Sequence, residues 1–375
     1  MSNALGLTRQ ADALPQSLAE LLRESAVRTA DKGQPDDEAL EQLRRSGVLA
    51  AAISAEHGGS GGDATVVNRI VEQLARVNPS AAIIAFQHFA VSMRIVEWGT
   101  PAQKALLLPA LAAGDLLAAS AWSELGVGAA KKKVNTTASR LPGAKWLLNG
   151  AKSFTTSAGI ADVYLVLAQT SAVVDSESSY GSAGQSFFLV PAGNPGLVPE
   201  RPLDLIGMRG SATGFVTLRD CELADHDRLG PEGHGSVIMA GVRETGATLG
   251  AVSVGIAQSL LDIAAVHIGK GDPARRLANR YRLADLATQV AAARALVAQA
   301  GRRASADPGL TTLHSKLFAS AVAEHVGGEV GRMLGSAGFL ADHELNRLVA
   351  DARAISHMGP ANDLCKELIS ASWSE

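Results

Sequence analysis

The sequence predicts an α+β chain in three parts: an N-terminal helical domain over residues 1–115, a small antiparallel β domain over 116–232, and a C-terminal four-helix bundle over 233–375. Three observations carry this. Apolar residues recur at helical intervals in both end regions, short β-type runs broken by Gly, Ser and Pro fill the middle, and 375 residues suffice for two or three substantial cores.

In the first part, "DEALEQLRRSGVLAA" spaces Leu40, Leu43 and Val48 at roughly helical intervals, and "ATVVNRIVEQLARV" does the same with Val67, Ile70, Val71 and Leu74. Between them "AEHGGSGGD" reads as a turn, with Asp63 as the cap of the following helix. Thr100 precedes a proline suited to a helix's first turn. The middle part offers "KWLLNGAKSFTT", "ADVYLVLAQT", "SFFLVPA" and "GFVTLRDCEL" as strands, and "SAVVDSESSYGSAGQS" as an exposed hairpin or loop. Longer helices follow: a small-residue-rich one from "GVRETG" onwards, the amphipathic "RRLANRYRLADLATQVAAARALVAQAGRRA", and "HSKLFASAVAEHVGGEVGRMLG", ended by Gly335 and Gly338.

Composition excludes several function classes. A net charge of -3 gives no general attraction to nucleic acid or anionic membranes. Nearly half the residues are apolar and 19% are charged, which suits a folded cytoplasmic protein. The amino end lacks the basic and apolar regions of a secretory signal, and no uninterrupted apolar run reaches membrane-span length. The two cysteines, Cys221 and Cys365, are far apart and read as free thiols. No G-x-G-x-x-G, Walker lysine or H-E-x-x-H occurs, "AWSELG" holds a serine and an acid but no G-x-S-x-G elbow, and no metal is assigned. Lys131 to Lys133 read as a solvated loop.

Five runs in order resemble the acyl-CoA dehydrogenase family over almost the whole chain: "ISAEHGGSGGD", "WGTPAQKALLLPALAAGDLLAASAWSE", "WLLNGAKSFTTSAGIADVYLVLA", "LDLIGMRGSATGFVTLRDCEL" and "GAVSVGIAQSLLDIA". The resemblance implies FAD between the β domain and the bundle, and a homodimer or homotetramer. By that resemblance Ser123, beside Trp122, falls where a threonine approaches the pyrimidine edge of the flavin. Phe154 falls where an aromatic ring packs on it, and Thr156 where a threonine bonds near its reactive nitrogen. Such a ring needs an apolar face and donors at its polar edge.

Departures cluster. Gly128 keeps the glycine of the family's Gly-Ser-Asp, but Ala129 replaces the serine that holds the pyrophosphate. The arginine-x-glutamine-phenylalanine-glycine run that reaches a neighbouring subunit's adenine is replaced by "GKGDPARRLANRYR". Arg332 stands for a glutamine shortly before the helix-ending Gly335, and Ala350 for an arginine. Lys131 to Lys133, Arg275 and Arg276 are new cations available to offset part of such losses. Gly359 occupies the position of the glutamate that removes the proton beside the thioester carbonyl. Three side chains are then candidates for the base: Glu244, next to the alternative family position at Thr245; His88, on a helix expected to line the acyl cavity; and His357.

Three functions fit this pattern. One is α,β-dehydrogenation of an acyl thioester, carried by CoA or a carrier protein, with a relocated base and an electron-transfer partner. The second is a monooxygenase that takes reduced flavin, FAD or FMN, from a flavin reductase and acts on a small molecule. The third is a binding or scaffold protein with no cofactor.

Overall fold

The computed structural model describes residues 14–172, 180–200, 203–270 and 273–373, with side chains at 270 and 273–276 left aside. The first part holds α1 (Gln16–Lys32), α2 (Asp37–Arg45), α3 (Ala64–Val77), α4 (Pro79–Trp98) and α5 (Pro101–Ala113). Two helix starts are where sequence places them. The Asp63 carboxylate accepts from the Thr65 and Val66 N–H groups at 2.9 and 3.1 Å. Thr100 and Gln103 exchange side-chain and backbone bonds across the first turn of α5, with Pro101 at its first position.

The middle part is a sheet of β1 (Ala118–Ala121), β2 (Thr137–Leu141), β3 (Lys145–Thr155), β4 (Val163–Gln169), β5 (Gln185–Pro191), β6 (Leu197–Pro199), β7 (Gly214–Ala224) and β8 (Arg228–Leu229), ordered β6-β7-β3-β2-β4-β5-β8. Neighbours are antiparallel except that β1 runs parallel to β4 and β2 meets β4 in one parallel pairing. The long crossover between β1 and β4, which contains the β2–β3 hairpin, permits that parallel contact. Trp146, Tyr164, Phe188, Val216 and Leu218 fill this domain's own core.

The third part contains α6 (Gly235–Glu244), α7 (Gly250–Lys270), α8 (Pro273–Arg302), α9 (Pro308–Leu334), α10 (Glu344–His357) and α11 (Asn362–Ala371). α7 packs on α8, α9 and α10 and also on α3, so the two helical parts share one core. Small residues allow the approach: a Cβ on Gly255 would lie 2.3 Å from the Glu72 carbonyl oxygen. Contrary to the expectation from uninterrupted apolar runs, α4 and Gly250–Gly269 are long and apolar enough to cross a membrane; 78% and 67% of their apolar windows are buried inside the protein. Cys221 and Cys365 are free and buried.

The loop expected to be exposed is different at its end. Residues 173–179 lie outside the described residues, as do the side chains of Arg275 and Arg276 and the amino end through residue 13, but Tyr180 and Ser182 are buried against the rest of the chain.

Candidate active site

A cavity of about 610 Å³ opens between the sheet and the last helices. Its β-domain wall carries Trp122, Ser123, Phe154 and Thr156. Phe154 owes its direction to an irregularity in β3: the pairing with β7 shifts register between Lys152 and Thr155, and Phe154 adopts a left-handed φ of 51°. Phe154 is 58% exposed, so burial offsets little of the cost of this conformation. The Ser153 N–H donates to the Ser123 carbonyl at 2.8 Å, tying the strand end to the loop that carries Trp122. Thr156 Oγ1 lies 3.3 Å from Thr213 Oγ1, which in turn lies 2.8 Å from Ser211 Oγ.

An ion pair lies beneath this wall. Lys152 Nζ contacts Glu124 Oε1 at 2.6 Å, both side chains almost wholly buried. Glu124 also accepts from the Asn135 and Thr136 N–H groups at 2.6 and 3.1 Å, so one carboxylate gathers both ends of the 124–136 loop onto β3. Burial pushes the Lys152 pKa down to about 8 against the attraction of Glu124. Glu124 is held below the ordinary range because Lys152 and these donors together outweigh desolvation, its largest single influence.

The opposite wall comes from three distant segments. Met239, Val242 and Arg243 belong to α6, while Arg353, Ala354 and His357 belong to α10 and lead into Met358, Gly359 and Pro360. Leu205 to Met208 close the space between them. That loop is fixed by Asp351, which accepts from the Met208 N–H at 2.6 Å. Burial raises the Asp351 pKa to about 6, opposed by the Met208 bond and Arg347. Gly207 sits so near α10 that a Cβ would lie 2.4 Å from the Ala350 carbonyl oxygen.

The base candidates separate cleanly. His357 is exposed and lines the cavity. His88 does not line it; it is fully buried between α4 and β1, where Nδ1 accepts from the Ala118 N–H at 3.4 Å. Desolvation pushes its pKa down to about 4, against the pull of the Leu49 backbone. Glu244 is exposed at the end of α6 and also lies off the cavity; its Oε1 would be 2.2 Å from a Cβ on Gly309, at the start of α9. Gly128 is exposed on its loop, and Arg332 is an exposed partner of Glu329 on α9. Gly335 ends α9 with φ 59°. None of these three borders the cavity.

Sequence reasoning missed Lys131. It is not solvated: only 5% exposed, it lines the cavity, with Nζ donating to the Ala129 carbonyl at 3.1 Å and the Tyr180 hydroxyl at 3.4 Å. Tyr180, Arg243 and the Leu205–Met208 loop were missed as well. The run of three lysines gives no signal distinguishing the inward one, because its direction depends on the loop's closure against Gln185, whose side chain donates to the Lys131 carbonyl at 2.8 Å.

The residues present fit a flat, polar-edged aromatic group. Phe154 offers an exposed ring, Thr156 and Ser123 offer hydroxyls, and Trp122 keeps a buried indole N–H with no partner beside the cavity. The "Acyl-CoA dehydrogenase, N-terminal domain" matches residues 9–115, the "middle domain" 119–221 and the "C-terminal domain" 233–373. A probable acyl-CoA dehydrogenase of Mycobacterium tuberculosis is 32% identical over 337 residues, covering 88% of this chain and 85% of the relative. The solved butyryl-CoA dehydrogenase of Megasphaera elsdenii is 26% identical with a TM-score of 0.86, covering 100% of both chains. A solved FAD-dependent dehydrogenase is 28% identical, TM-score 0.83, over 99% of this chain and 100% of the other.

Proposed function

The chain belongs to the acyl-CoA dehydrogenase family of flavin-dependent oxidoreductases, and from that premise we propose that it performs α,β-dehydrogenation of an acyl thioester with His357 in place of the usual glutamate. The observation that carries this reading is a single cavity shared by Phe154, Thr156, Trp122, Ser123 and His357, with no Asp or Glu among its described lining residues. FAD, when bound there, supplies the two-electron acceptor. Phe154 would pack against its face, and Ser123, Thr156 and the Trp122 N–H would meet its polar edge. Leu205, Ile206, Met208 and Val242 present apolar surface that excludes water from the acyl chain. His357 Nδ1 or Nε2 would accept the proton from the carbon beside the carbonyl, a task suited to a neutral imidazole near pH 7.

We further expect a homo-oligomer built through the helical part, because Val266, Phe339 and Leu340 expose large apolar surface there. The acid-free lining favours one other reading, a monooxygenase fed with reduced flavin by a separate reductase, since that reaction needs no carboxylate base.

A visible spectrum of the purified chain, titrated with FAD and then mixed anaerobically with butyryl-CoA, tests this. A bound yellow cofactor that bleaches with the thioester is the expected result. Bound flavin that does not bleach, together with oxygen consumption dependent on added reduced flavin, would favour the monooxygenase. A colourless chain that takes up neither FAD nor FMN would leave a cofactor-free binding protein.

A further inference from the structure

Buried lysines ordinarily meet a carboxylate, because taking an ammonium out of water unpaired is costly. Lys152 obeys that rule through Glu124. Lys131 does not. Its described partners are the Ala129 carbonyl and the Tyr180 hydroxyl, and its Nζ lies 5.3 Å from the centre of the Tyr180 ring. Two neutral acceptors and a ring face leave its charge without a counter-ion among the described residues.

The position of that charge matters. A Cβ built on Gly359 would lie 3.8 Å from Lys131 Nζ. The ammonium thus faces the point where the family resemblance places the glutamate of the reacting end. Lys131, Arg243, Arg353 and His357 all line this cavity. Arg243 makes no ion pair among the described residues, and its Nε is buried without a partner. A cavity with several basic groups and no acidic one among its described lining attracts an anion.

We propose that Lys131, with Arg243, forms a carboxylate-binding subsite that selects an acyl thioester whose acyl group carries a second, free carboxylate. The substrate class is the monothioester of a dicarboxylic acid, and the glycine at 359 leaves the ammonium open to it. This deepens the dehydrogenase reading and rests on it. A glutamate at 359 would neutralise the lysine, so the missing base and the buried cation are two aspects of one substitution. Lys131 here determines specificity and takes no proton from the substrate.

The same charge could instead meet a phosphate of FAD, and the test separates the two. The full chain is titrated calorimetrically with FAD, and then, FAD-loaded, with succinyl-CoA and with butyryl-CoA. The wild type is expected to bind succinyl-CoA about 10- to 100-fold more tightly, the range for a hydrogen bond to a charged group. Lys131→Met should reduce that ratio below about threefold, Lys131→Arg should keep most of it, and FAD affinity should stay within about twofold in both. Gly359→Glu, whose carboxylate reaches the ammonium from the other side, should also abolish the preference; it decides the matter should Lys131→Met not fold. Equal binding of the two thioesters by an FAD-loaded wild type overturns the subsite alone. A tenfold loss of FAD affinity in Lys131→Met, with no thioester preference in the wild type, assigns the charge to the cofactor and overturns it too. A wild type that takes up no FAD brings down the dehydrogenase reading itself, a separate outcome read in the first titration.

Discussion

The two walls of the cavity are built differently. The β-domain wall is neutral at its surface and held from beneath: Phe154, Thr156 and Ser123 stand on a strand end and a loop joined by the Ser153–Ser123 bond and the Lys152–Glu124 pair. The helical wall is basic at its surface, with Arg243, Arg353 and His357, and is assembled from segments more than a hundred residues apart. In the proposed dehydrogenation the neutral surface suits the flavin ring, and the charged surface suits the acyl group. Lys131 lies on the boundary and connects the two.

The largest expected effect breaks the rigid wall. Lys152→Met alone leaves Glu124 buried without its cation and should cost about 3–5 kcal/mol in urea denaturation, whereas Lys152→Met with Glu124→Gln should recover most of it. A loss below ~1 kcal/mol for the single variant would mean the wall is held by something else. Next in size, His357→Gln should lower kcat/KM about 100-fold, against less than about twofold for Glu244→Gln, which lies off the cavity. Equal effects would erase the distinction between the base candidates.

Phe154→Gly separates function from stability within the β-domain wall. Removing a non-glycine residue from left-handed backbone should stabilise the chain by about 1 kcal/mol. The same change should weaken FAD binding roughly 3- to 10-fold through the lost ring contact. A variant less stable than the wild type would show that Phe154 packs for the fold's sake.

The smallest effect concerns the helical wall and appears as a pH dependence. Burial raises the Asp351 pKa from 3.8 to about 6, so between those values the folded state holds a proton that the unfolded state has lost. Stability contributed here is therefore present below about pH 4 and declines as pH rises to about 6. Asp351→Asn, still able to accept from the Met208 N–H, should remove that slope from melting temperatures measured between pH 4 and 7. An unchanged slope would assign it to another group.

Legibility followed the same division. The strands containing Trp146, Val163 and Phe187, and the caps at Asp63 and Thr100, could be read from local alternation and local hydrogen-bonding chemistry. Trp122, Ser123, Phe154 and Thr156 were placed by the family resemblance and not by local pattern, and all four line the cavity. His88 was misdirected for a physical reason: one residue along α4 turns a side chain by about 100°, so Gln87 meets the cavity and His88 meets β1. Glu244 likewise lies off the cavity, ending α6 on the side of α9.

The sequence by itself determined the order of helical, β and helical parts, because period and capping act within a few residues. Only the tertiary structure decided that Lys131 turns inward, toward Gly359. Its direction depends on a loop closed by Glu124 and Gln185 and on a turn after α10, contacts that become adjacent only when distant segments pack together.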